Sequence, residues 1–158
     1  MSYTNLIYHI VYATKERAPL INKTLRPRLH RYLGGTVREL GGIGLEVNGT
    51  SDHVHVVAKL PPTISVAMFL SKLKSSSSGW AKRQTRGRFA WQARYGAFTV
   101  SESQIDRLRQ YVRNQEKHHS HKSFEEEFRA LLRAHKINFN EAHIWSRASV
   151  ASFAGFDS

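Results

Sequence analysis

The stretch from Leu45 to Leu60 constrains this chain more than any other. Leu45–Asn48 and His53–Leu60 are strand-type runs, Gly49-Thr50-Ser51-Asp52 between them has turn chemistry, and Pro61-Pro62 closes the second run. A β-hairpin is the expected result. Side chains along a strand alternate between faces, so His53 and His55 share one side while Val54 and Val56 share the other. The valine side needs an apolar layer against it, so the hairpin has to be part of a larger packed sheet.

The remaining segments supply that layer. Asn5–Tyr12 is rich in β-branched and aromatic residues and predicts a first strand. Leu25, Leu29, Tyr32, Leu33, Val37 and Leu40 recur at helical spacing, with Asn22 or Thr24 as the cap and Gly41-Gly42 as the stop. Ser65 caps a second helix with Val66, Phe69, Leu70, Leu73 and Trp80 on one face. Gln84–Ala93 reads as a basic loop, Tyr95–Ser101 as a fourth strand, Gln104 to about His118 as a third helix capped by Ser103, and the segment after Ser123 as a fourth. The order β-α-β-β-α-β predicts an α+β, ferredoxin-like (RRM-like) antiparallel sheet with two helices on one face and additional C-terminal helices. With 158 residues, one domain is expected over 1–158, its core at about 5–119 and a helical extension at about 120–145.

Composition narrows the function. There is no cysteine, which excludes a disulfide scaffold, Cys-ligated metal and a thiol nucleophile. No apolar run is long enough to span a bilayer, and the first residues lack a signal-peptide pattern, so a soluble, cytoplasmic protein with no membrane partner is expected. The formal net charge is +12, and it is unevenly placed. His53–Ser101 contains no acid and carries Lys59, Lys72, Lys74, Lys82, Arg83, Arg86, Arg88 and Arg94. That segment points to a polyanionic partner, with Trp91 available to stack on a base.

Chemistry converges on two places. His53 and His55 are spaced to share one divalent cation, although a half-exposed surface pair has the same spacing. Tyr111 and Gln115 lie four apart, one above the other on one helical face, where plain core packing is the alternative. A buried carboxamide can be satisfied through its carbonyl oxygen by a metal ion. Taken together, two imidazoles, a carboxamide and a phenol describe a phosphodiester enzyme that uses Mg²⁺ or Mn²⁺. His118, His119 and His121 read as a helix end beside the C-terminal dipole, with a second metal cluster as the alternative.

The sequence here resembles a known family. His53-Val54-His55-Val56-Val57 followed by Pro61 is similar to the HUH motif (His, bulky hydrophobe, His). Trp91–Phe98, Ser101–Ile105, Tyr111–His119, Phe124–Phe128 and Leu131-Leu132 resemble, in order and spacing, single-tyrosine transposases of the insertion-sequence-200/605 type. The resemblance spans about Asn5 to about Trp145. It implies cleavage and rejoining of single-stranded DNA at hairpin-bearing element ends through a 5′-phosphotyrosine. It implies Tyr111 as nucleophile, His53, His55 and Gln115 as metal ligands, a homodimer in which the two sheets join, and nucleoid-associated work in a bacterium. Lys72, Lys74, Lys82, Arg83, Arg86, Arg88, Trp91 and Arg94 are the expected DNA contacts. REP-associated tyrosine transposases, a non-catalytic single-strand binder, and a replication initiator or relaxase are the alternatives.

Overall fold

A computed structural model of the chain describes residues 2–145; Met1 and 146–158, the last part of the expected domain, lie outside the described residues. The elements are β1 (Leu6–Ala13), α1 (Leu25–Glu39), β2 (Ile43–Gly49), β3 (His53–Leu60), α2 (Val66–Thr85), β4 (Gly96–Thr99), α3 (Ile105–Arg113), α4 (Gln115–His119), α5 (Phe124–Ala134) and α6 (Glu141–Trp145). The four strands form one antiparallel sheet in the order β2-β3-β1-β4. This is the expected ferredoxin-like arrangement. β1 and β3 are its central strands, aligned with Val11 opposite His55 and His9 opposite Val57.

Alternation along these two strands builds both faces. Ile10 and Tyr12 of β1 and Val54, Val56 and Ala58 of β3 join Leu29, Leu33 and Val37 of α1 and Phe69, Leu70 and Leu73 of α2 in the main core. Side chains on the opposite face pack in two smaller clusters. Ile7 and Val57 meet Val112 of α3, and Val11, Ala13 and Phe98 meet Phe124 and Leu132 of α5. The sheet is therefore covered on both sides, which is why β3 is buried along nearly its whole length.

Three caps are formed by residues that the sequence singled out; the fourth is not, for Ser103 sits inside a short turn before α3, its hydroxyl paired with Ser101, and Gln104 stands at the helix start without a side-chain cap. Asn22, not Thr24, closes the start of α1, its Oδ1 accepting from Leu25 N at 2.8 Å. Ser65 accepts from Met68 N, and Ser123 accepts from Glu126 N. Several boundaries differ from expectation: β2 starts earlier, at Ile43, and α2 runs to Thr85, into the expected loop. β4 is shorter, Gly96–Thr99. The third helix does not run through to His118; it breaks at Asn114 into α3 and α4. The cause is tertiary: Asn48 Nδ2, from β2, donates to the carbonyls of both Val112 and Arg113 at 3.0 Å. Those acceptors are satisfied from outside, and the helix can end there.

Gly49 makes the hairpin possible. A Cβ there would sit 2.1 Å from the His53 carbonyl oxygen, so only glycine lets the backbones approach this closely. Gly49→Ala is expected to cost about 1–3 kcal/mol of stability by overpacking, read as a lower melting temperature. An unchanged melt would show that the hairpin yields without cost.

Candidate active site

The imidazoles of His53 and His55 are fully buried on the α3–α5 side of the sheet, which excludes the surface-pair alternative. Around them stand Tyr111 at the end of α3, Gln115 and His119 on α4, and Glu127 on α5. Glu127 is the hub. Its Oε1 lies 3.1 Å from His55 Nε2, 3.0 Å from His119 Nε2 and 3.5 Å from His53 Nε2. Its Oε2 accepts from Gln115 Nε2 at 2.9 Å and from the Tyr111 hydroxyl. Tyr111 thus sits beside the imidazoles of its own chain, with its ring centroid 6.0 Å from that of His55.

The outer nitrogens are anchored too. His53 Nδ1 lies 2.8 Å from Asp52 Oδ1. A carboxylate only accepts, so Nδ1 carries the proton, and Nε2 turns inward. Gln115 directs its amide hydrogens at Glu127, so its Oε1 is what faces His53 Nε2 at 2.9 Å. Two oxygens, of Gln115 and Glu127, therefore approach a nitrogen whose own proton is committed elsewhere. A metal ion held between them would satisfy all three atoms. The donor set fits a divalent cation: ligand atoms of His53, His119 and Glu127 lie within 4.8 Å of one another. His55 Nδ1 is 2.7 Å from Nε2 of the buried His9. A neutral imidazole offers one donor and one acceptor, so this pair can hold the proton on either side and leave His55 Nε2 as donor or as ligand.

Electrostatics follow from burial. Burial alone would raise Glu127, but hydrogen bonds from His119 and His55 and the nearby imidazoles hold it well below the usual carboxylate range. Burial, then the Glu127 charge, pushes the Tyr111 phenol well above its ordinary value, so in this arrangement it keeps its proton. Burial lowers His55, and lowers His9 to about 3. His119, also partly desolvated, is nonetheless raised by its bond to Glu127.

Sequence reasoning missed Glu127, His9 and Asp52, and placed His119 at a solvated helix end when in fact it turns inward. Signals existed for two. Glu127 lies three after Phe124 and four before Leu131, on the apolar stripe of its helix. His9 lies between Ile7 and Val11 on one strand face.

The expected DNA contacts lie elsewhere. α2 packs on the sheet face opposite the imidazoles. Lys72, Lys82, Arg83, Arg86 and Arg88 are exposed on α2 and the loop after it, and Arg94 is half-buried. Lys74 turns inward: its ammonium donates to the Gln92 carbonyl at 2.5 Å, and burial lowers it to about 8. Trp91 is partly buried, edge-on to Tyr12 and Phe89, with its indole N–H donating to Ser77 Oγ at 2.9 Å. No helix among the described residues is long and apolar enough to cross a membrane.

An open antiparallel sheet presenting two buried imidazoles to a tyrosine-bearing helix defines a HUH-type centre. The comparisons make this specific: the pattern of IS200-like transposases matches residues 2–115, and the chain belongs to that family. The transposases for insertion sequence element IS200 of Salmonella typhimurium and Salmonella typhi are each 30% identical over 122 residues, covering 70% of this chain and 77% of theirs. Two solved structures share the fold. A putative transposase from Deinococcus radiodurans superposes with TM-score 0.60 at 24% identity, over 72% of this chain and 93% of its own. A REP-associated tyrosine transposase bound to a REP hairpin gives 0.56 at 12% identity, over 75% and 72%.

The buried histidines set an acid limit on metal-free protein. Folded His9 and His30 are lowered to about 3 and about 4, and His55 is lowered too. Below about pH 6.5 the unfolded chain takes up protons that these sites refuse, so stability falls with pH, each site costing up to about 1.4 kcal/mol per unit. Glu127 adds a further loss below its unfolded value near 4.5. His119 alone among these runs the other way. Urea melts in EDTA should lose midpoint steadily from pH 7 to pH 4; a flat profile would mean the histidines are not held neutral.

Proposed function

We propose that this chain cleaves and rejoins single-stranded DNA at hairpin-containing element ends, through a 5′-phosphotyrosine on Tyr111. The observation that carries the reading is the convergence of the Tyr111 phenol, the Gln115 carboxamide and both β3 imidazoles in one pocket, inside a member of a transposase family. His53, His55 and Gln115 hold Mg²⁺ or Mn²⁺. When bound, the cation offsets charge that builds on the non-bridging phosphate oxygens.

The residues perform the remaining work. The Tyr111 oxygen attacks phosphorus, the P–O3′ bond breaks, and the released strand leaves as a 3′-hydroxyl. The phenol proton is lost as the Tyr111 oxygen–phosphorus bond forms, and the departing O3′ takes up a proton in its place; Glu127 Oε2, which accepts from the hydroxyl, positions the phenol for attack. The bond energy is conserved in the phosphotyrosine, so a second 3′-hydroxyl can attack it and restore a phosphodiester without ATP. Hairpin DNA is the substrate form; the REP-associated neighbour was solved bound to a hairpin. Exposed Lys72, Lys82, Arg83, Arg86 and Arg88, with Arg94, Lys74 and Trp91 nearby, contact the DNA. The working unit is a homodimer in which two sheets join.

The test is a labelled single-stranded hairpin incubated with protein and Mn²⁺, resolved on a denaturing gel. A covalent adduct is expected from wild type. Tyr111→Phe should lose it, by a factor of at least 10³ in rate, while retaining hairpin binding. Binding without any wild-type adduct would leave a non-catalytic binder; full cleavage by Tyr111→Phe would place the nucleophile elsewhere.

A further inference from the structure

The resemblance assigns three neutral ligands, yet the acceptor at the centre of this pocket is a carboxylate. Glu127 is almost wholly buried, and its two oxygens face different groups. Oε1 is aimed at the three imidazoles, His53, His55 and His119, while Oε2 holds the phenol of Tyr111 and the amide of Gln115. His119 is not at a solvated helix end; its ring lies 4.5 Å from that of His53, and its Nε2 points inward. Hard divalent cations favour anionic oxygen over amide oxygen, and ligand atoms of His53, His119 and Glu127 lie within 4.8 Å of one another, beside the Gln115 Oε1 that faces His53 Nε2. Gln115 also donates to Glu127 and so fixes which way the carboxylate faces.

We infer that Glu127 is itself a ligand of the cation through Oε1, with His119 as a further donor, and that Oε2 keeps hold of Tyr111 so that one carboxylate joins the metal to the nucleophile. Gln115, whose amide holds Glu127 while its Oε1 faces His53 Nε2, is the weaker, neutral ligand beside it. The inference rests on the metal-dependent reading above and extends its ligand set. It makes the site anionic, where His, His and Gln alone would be neutral, and it makes α5 part of the metal centre.

Mn²⁺ binding decides the matter without reference to cleavage. Free Mn²⁺ is measured by electron paramagnetic resonance during titration of wild type, Glu127→Gln, Glu127→Asp, His119→Ala, Gln115→Ala and His55→Ala, each first checked for folding by circular dichroism. Glu127→Gln should weaken Mn²⁺ at least tenfold and His119→Ala severalfold, both more than Gln115→Ala. Glu127→Asp, which keeps the charge one methylene further back, should fall between wild type and Glu127→Gln, and it serves in place of Glu127→Gln if that variant does not fold. Wild-type affinity in Glu127→Gln, or a larger loss in Gln115→Ala than in Glu127→Gln, would overturn the inference while leaving the metal reading intact. Wild-type affinity in His55→Ala would instead overturn the metal reading itself. As a second readout, Mn²⁺ should raise the melting temperature of wild type more than that of Glu127→Gln; equal increments would count against Glu127 as a ligand.

Discussion

Burying a carboxylate costs several kcal/mol unless donors surround it, and that requirement organises one whole side of this molecule. Glu127, on α5, brings together a strand and two helical segments: His53 and His55 from β3, Tyr111 from α3, Gln115 and His119 from α4. None of these elements has a long apolar seam with all the others. Val112 anchors α3 to Ile7 and Val57, and Phe124 anchors α5 beside Val11 and Phe98. Between those two small apolar patches the polar cluster carries the packing. Each donor therefore serves the packing of this side as well as the chemistry of the pocket.

Much of this was legible from periodicity alone. The two-residue repeat put His53 and His55 on one face and the valines on the other, and the four-residue interval stacked Gln115 above Tyr111. These are local geometric facts, and tertiary structure only selects among their consequences. The helix break at Asn114 was not legible, because its cause is Asn48, more than sixty residues away in the chain. Glu127 was hidden by a sufficient local explanation. Three successive glutamates after a capping serine suit a helix N-terminus, and Glu126 does fill that role with Ser123. Its neighbour, rotated onto the apolar stripe, was overlooked. His119 was misread for a similar reason: a cationic residue in a last helical turn already has an adequate solvated interpretation.

Charge also proved to be less uniformly placed than the acid-free segment suggested. That segment begins on the imidazole strand and ends next to the tyrosine helix, but α2, which carries several of its cations, lies behind the sheet. Lys74 is spent on holding the 92–94 loop through backbone carbonyls. The positive surface and the reactive pocket are thus on opposite sides of a thin sheet, and the basic loop entering β4 is the covalent route between them. A DNA strand contacting both has to turn around an edge.

The family pattern ends at Gln115, twelve residues short of the carboxylate that Gln115 holds. The unit that defines membership and the unit that closes the pocket are consequently not the same length of polypeptide. Strand, tyrosine and carboxamide fall inside that pattern, whereas the carboxylate that touches them stands on a separate helix behind a short turn. Such a division means that the packing of α5 on the sheet, through Phe124 and Leu132, governs where the pocket's carboxylate stands.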